Sequence, residues 1–323
     1  MSNGNIGATS ATYTDVTRTN IRVLSKDISA QIAKAKFISI DTEFTGLVLS
    51  NASRVFNLKT TEWVTRATDM RDRYRAMSNI AKTHALVSMG LSTFSIRHTR
   101  PGSYNVHNFN FLLQSQNSHL ISPPSISFLA ETGFDLCRQA TKGIRYFSGP
   151  NPKPVEVKTE AINEEGFLIR EVFLDIVRAG VPLVVHNGLF DLVYLYQSFF
   201  GPLPDTYESF AFDLNEMFPG AYDAFMTGYI FASFRLVLED KMSDYKNKVY
   251  LMGSDNPLLI QAGPYANTSI TYIQTMRLMN TAAAEAAKAA ETAVAETAAA
   301  AAETASAEPL STDVADQQEN AQA

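Results

Sequence analysis

The chain has 323 residues, 46% of them apolar, which is enough for one large domain or one domain carrying long insertions. Its formal charge of −6 is carried by the tail: from Thr281 onward six Glu, two Asp and one Lys give −7, leaving a body near +1. A mean hydropathy of −0.08 without a long apolar run argues against a membrane-spanning helix, and the single cysteine, Cys137, excludes an internal disulfide, argues against a zinc finger and suggests an intracellular setting.

Met1 to Thr12 is polar, has no signal-peptide pattern, and reads as a disordered N-terminus (residues 1–12). Ile21 to Lys36 reads as an amphipathic helix, and Phe37 to Asp41 as a strand. Glu62 to His84 is charged and helix-like. It contains a basic run, Arg66, Arg71, Arg73, Arg75 and Lys82, that suits either phosphate contact or a solvated face, since Asp69 and Asp72 are interleaved with it. Ala85 to Ile96 reads as a strand-pair region around Gly90, and Val106 to Leu113 as a further strand. Ile126 to Gly133 predicts a short helix, and Pro150 to Glu165 a polar loop. Glu165 to Ala179 predicts a helix, Pro182 to Val185 a buried strand, and Gly188 to Phe200 a helix directly after it. Apolar stretches follow at Ala221 to Leu238 and Val249 to Met252. The last part, residues 266–323, is Ala- and Glu-rich and predicts a solvated helical or disordered tail. The alternation of strands and helices defines an α/β protein, with its domain over 13–265.

Two short constellations carry chemistry. Residues two apart on a strand face the same way, so Asp41 and Glu43 present adjacent carboxylates, a pair that a divalent cation would stabilise. Taken alone the pair is weak, because a chain this acidic contains about one Asp-x-Glu by chance. Downstream, His186 ends a strand, Asn187 suits a helix N-cap, Gly188 allows close approach, and Asp191 falls in the first turn of the next helix. Ligands of open α/β folds bind where such elements meet, although a turn with a dipole-complementing Asp fits equally well.

Together these segments resemble the DEDD 3′-5′ exonucleases, and within them the deadenylase branch containing poly(A)-specific ribonuclease. The nearest type is the nuclear, Cajal-body exonuclease that trims small nuclear RNA tails. The resemblance runs in order through Phe37 to Leu47, Asp72 to Ala76, Val87 to Phe94, His186 to Asp191, Asp213 to Pro219, Tyr222 to Tyr229 and Asn247 to Leu251. It implies a ribonuclease-H-like mixed sheet flanked by helices, and four metal ligands at Asp41, Glu43, Asp191 and Asp223. Two Mg²⁺ ions, or Mn²⁺ in their place, would serve a two-metal hydrolysis releasing nucleoside 5′-monophosphates. Phe44 would lie beside the terminal base, with His186 and Asn187 also contacting substrate. The implied partners are single-stranded RNA 3′ ends bearing poly(A) or oligo-adenylated tails, with no membrane, and a homodimer is the oligomer considered. The implied location is the nucleus, with the cytoplasm also open.

One departure stands out. The family pattern places a general-base histidine ahead of the last ligand, at the position occupied here by Phe218. Only Gly220, Ala221 and Tyr222 separate the Asp213 to Pro219 segment from Asp223, so a strand and a helix expected between residues 218 and 222 are absent. Three readings follow: a slow enzyme, an RNA-binding pseudonuclease, or an incomplete gene model.

Overall fold

The structure is a computed structural model that describes residues 13–47, 69–99, 103–149, 160–218, 221–223, 244, 246–249, 258–260, 267–285, 288 and 292. At 160–163, 221–223, 249 and 258 only the backbone is described. The chain divides into two compact units, residues 1–275 and 276–323.

The first unit is built on a seven-stranded sheet. In chain order its elements are β1 (Tyr13–Val16), α1 (Ile21–Lys34), β2 (Phe37–Phe44), α2 (Met70–Thr83), β3 (Leu86–Ile96), β4 (Tyr104–Ser115), α3 (Pro123–Glu131), α4 (Leu136–Lys142), β5 (Ile144–Tyr146), α5 (Glu160–Ala179), β6 (Leu183–Val185), α6 (Leu189–Leu195), α7 (Tyr207–Met217) and β7 (Ala221–Asp223). The strand order is β1-β4-β3-β2-β6-β7, with β5 also on β4. The β2, β3 and β4 strands are antiparallel, while β6 and β7 continue the sheet in parallel from β2. This is the mixed sheet with flanking helices that the resemblance implied.

Period-2 alternation decides which face is core. On β3 and β4, Met89, Leu91, Phe109 and Phe111 are buried, and the residues between them are more polar. The α1 helix buries Ile21, Ile28 and Ile32 and packs against α5 and β3. The α2 helix starts at Asp69, whose carboxylate accepts from the Arg71 amide at 2.7 Å, and buries Tyr74, Met77 and Ile80.

Several expectations are corrected. Ala85 to Ile96 is one continuous strand rather than a pair, because β2 and β4 hydrogen-bond it on both edges across Gly90. The expected helix from Gly188 to Phe200 is α6 followed by a π-turn over Tyr196–Phe200. The polar loop ends earlier, since α5 begins at Glu160. Asp213 to Met217 lies in α7, capped by Thr206. A last helix, over 270–285, begins with Ser269, whose amide donates to the buried Asp213 carboxylate at 2.8 Å. The polar N-terminus, Arg66, most of the stretch from Ala221 to Leu238 and most of the tail lie outside the described residues.

Candidate active site

The site forms where β2 outruns its parallel neighbour. The β6 strand pairs with β2 at Ile38 and Ser39 and ends at Val185. The chain then turns away through His186, Asn187 and Gly188. Asn187 takes a left-handed φ of 51°, and a Cβ on Gly188 would fall 2.4 Å from the Val185 Cβ, so only glycine fits. Gly188, not Asn187, is the N-cap of α6, and it makes no side-chain cap. This turn delivers Asp191, in the first turn of α6, to the free edge of β2.

Asp191 is buried, at 7% exposure, and accepts a hydrogen bond from the Thr42 hydroxyl. Burial pushes its carboxyl up to about 7, and the negative charge of Asp41 adds to the effect. Asp41 and Glu43 occupy alternate positions of β2 on the face opposite Thr42. Burial raises both, opposed by His186 at Asp41 and reinforced by Asp41 at Glu43. Asp41, itself exposed, is within electrostatic reach of both Glu43 and Asp191, and negative charges that oppose one another in this way are relieved by a cation.

The end of β2 is held firmly. A bulge between Glu43 and Phe44 shifts the pairing with β3 from Ser88 to Leu86 and re-aims the chain after Glu43. Phe44 is half-buried, and one face of its ring stacks on Tyr194 with centroids 4.2 Å apart. The Tyr194 hydroxyl in turn donates to the Gly46 carbonyl at 2.6 Å. The α6 helix therefore holds β2 at Thr42 and the chain just beyond its end at Gly46, on either side of Glu43.

Two expected members stand differently. The resemblance implies a helix at Asp223, whereas its backbone ends β7, paired with Val185 at the same end of the parallel strands as the His186 turn. Only its backbone is described. Phe218 closes α7 with its ring buried, its amide bonded to the Leu214 carbonyl at 2.9 Å. Of the basic run, Arg71 pairs with Glu208, Arg75 pairs with Asp72, and Arg73 is buried, which fits an anchoring role better than a phosphate track.

The donor chemistry suits a hard divalent ion, since Asp41, Glu43 and Asp191 are oxygen donors with surplus negative charge. Among the described residues, no group of three or more His, Cys, Asp or Glu side chains stands close enough to hold an ion as placed. Thr42 and Tyr194 were not singled out in the sequence. The only signal for Tyr194 was its position one helical turn beyond Asp191.

Comparison with known proteins follows the same lines. The model of the CAF1 family ribonuclease domain matches residues 16–167 and 155–224, together more than half of the chain. Human "Poly(A)-specific ribonuclease PNLDC1" is 37% identical over 62 residues, covering 19% of this chain and 12% of that protein. Xenopus laevis "Poly(A)-specific ribonuclease PARN" is 29% identical over 143 residues, covering 42% of this chain and 21% of that protein. The chain therefore spans a small part of the length of the curated relatives it matches. Among solved structures, S. pombe Pop2p in its Mg²⁺- and Mn²⁺-bound form superposes with a TM-score of 0.45 at 19% identity, covering 83% of this chain and 91% of that one. The chain belongs to the CAF1 family of ribonucleases.

Proposed function

We propose that this chain is a divalent-metal-dependent 3′-to-5′ exoribonuclease that shortens single-stranded RNA tails, poly(A) or oligo-adenylated. The observation that carries the reading is that Asp41, on β2 beyond the end of its pairing with β6, opposes the ionisation of both Glu43 and the buried Asp191. Asp41, Glu43, Asp191 and Asp223 would hold Mg²⁺, or Mn²⁺ in its place. The metal would lower the pKa of water and offset charge on the phosphate. The protein's own part is to fix the carboxylates: Thr42 orients Asp191, and Tyr194 holds the strand end behind Glu43. Phe44, with one ring face on Tyr194, offers its remaining surface to the terminal base, and His186 and Asn187 line the turn beside it.

With Phe218 in place of a histidine, no imidazole assists deprotonation of water at that position. Such groups supply about 10²- to 10⁴-fold in rate, so turnover is slow. The test is incubation of purified chain with Mg²⁺ and 5′-labelled oligo(A) RNA, reading a ladder of shortened products and released 5′-AMP. Asp41→Ala should abolish the ladder. No shortening by wild type at high enzyme concentration sinks the reading. Binding without shortening would instead favour an RNA-binding pseudonuclease, a reading supported by the buried Phe218. The substrate class extends to the tails of small nuclear RNAs, with residence in the nucleus and a homodimer as the assembly. Fluorescence imaging and light scattering test these last two points.

A further inference from the structure

Most described glycines have a visible reason to lack a side chain. At Gly46, Gly143, Gly188 and Gly201 a Cβ would meet another atom at 2.3–2.5 Å. Gly133, Gly149 and Gly180 have positive φ. Gly90 has neither reason, and among the described glycines only Gly166, in α5, shares that position. It sits in the middle of β3 with ordinary strand backbone, and a Cβ there would find only the Asp41 carbonyl oxygen, at a comfortable 3.6 Å. A glycine inside a strand weakens it, so one that the fold does not require marks a place where something else approaches closely.

Its position says what. Gly90 is directly opposite Asp41 on one side and Asn110 on the other, so these three share a row and a face. The next row on that face is Ser39, Ser92 and Asn108. Here Ser88 bonds Asn110 at 3.1 Å and Ser92 bonds Asn108 at 2.8 Å, which holds the amides in fixed orientations. Gly90, Ser92, Asn108 and Asn110 are all half-exposed, whereas Met89, Leu91, Phe109 and Phe111 between them are buried on the other face. The row ends at Asp15, whose charge is met by Arg138 at 2.7 Å. The strip is continuous with the carboxylates, flat at Gly90, and lined with uncharged hydroxyls and amides. A packed protein helix would seek apolar partners, and these rows offer none. Hydroxyl and amide groups instead suit ribose hydroxyls.

We propose that the nucleotides 5′ to the terminal one cross β3 over Gly90, with their ribose edge against Ser92, Asn108 and Asn110. Gly90 is kept bare to let the strand lie flat beside Asp41. This rests on the exonuclease reading above. The test uses the full chain with Gly90→Ala and Gly90→Leu, measuring melting temperature, and anisotropy of fluorescein-labelled oligo(A) 10-mer RNA in Ca²⁺. Both variants should melt at or above wild type, and the Leu variant should bind RNA at least about tenfold more weakly, with Ala between. If wild type binds and Gly90→Leu binds equally, this inference fails and the exonuclease reading stands. A fall in melting temperature for both variants also overturns it, because the chain itself would then cover Gly90. If wild type binds no RNA, both readings fall.

Discussion

Asp191→Asn separates the site's cost to the fold from its use. The substitution keeps the shape of the side chain and an oxygen to accept from Thr42, but removes the buried negative charge. Burial lifts the Asp191 carboxyl from 3.8 to about 7. A displacement of about three pH units, at about 1.4 kcal/mol each, sets a ceiling of about 4 kcal/mol. The sign follows from the direction. A carboxyl raised in the folded state holds its proton there while the unfolded chain releases it. Its contribution to stability is therefore fully present below pH 4 and is lost as pH rises through 7. In EDTA, Asp191→Asn should accordingly match wild type near pH 4 and exceed it near pH 8. For a domain of this size the gain corresponds to a rise in Tm of several degrees, at most roughly 15 °C. Thermal denaturation at the two pH values reads it. Mg²⁺ or Mn²⁺ should then stabilise wild type and leave the variant unmoved. A variant less stable than wild type at pH 8 in EDTA, or an equal difference at both pH values, would refute the reasoning.

Phe218→His introduces the residue type that the resemblance implies but places an imidazole at a buried position at the end of α7. It should cost about 2–4 kcal/mol of stability and give no gain in rate, read by denaturant unfolding and the RNA ladder. Tyr194→Phe leaves the Gly46 carbonyl without its hydroxyl donor and should cost about 1–3 kcal/mol. Because that bond holds the strand end beyond Glu43, it should also weaken metal affinity by calorimetry, while a matched Tyr→Phe change at Tyr146 should leave metal affinity alone. Arg71→Ala removes an exposed pair with Glu208 and should leave stability essentially unchanged, read by thermal denaturation. The salt dependence of RNA binding should be unchanged, and a shallower slope would return Arg71 to a phosphate-contacting role.

The parts of this protein that were legible in its sequence are those set by local periodicity. Asp41 and Glu43 could be placed on one face because a strand repeats every two residues. Asp191 could be placed in a first helical turn because Asn187 and Gly188 mark the break before it. What was not legible depends on neighbours distant in the chain. Nothing near Thr42 reveals that its hydroxyl meets Asp191, 149 residues away. Gly90 reads locally as a strand break, yet pairing on both edges carries β3 straight through it. The helix through Asp213 to Met217 depends on Thr206 as its cap and on the burial of Phe210 and Leu214. The backbone of Asp223 follows the same logic. An edge position beside β6 is available, and Ala221–Asp223 takes it as strand rather than as the start of a helix.

The central claim is that Asp41, Glu43 and Asp191 form a divalent-metal centre. Anomalous diffraction from crystals grown in Mn²⁺ tests it most directly. The account predicts anomalous density bounded by those three carboxylates in wild type and none there in Asp41→Asn. Wild-type crystals saturated with Mn²⁺ that show no metal at these side chains would contradict it.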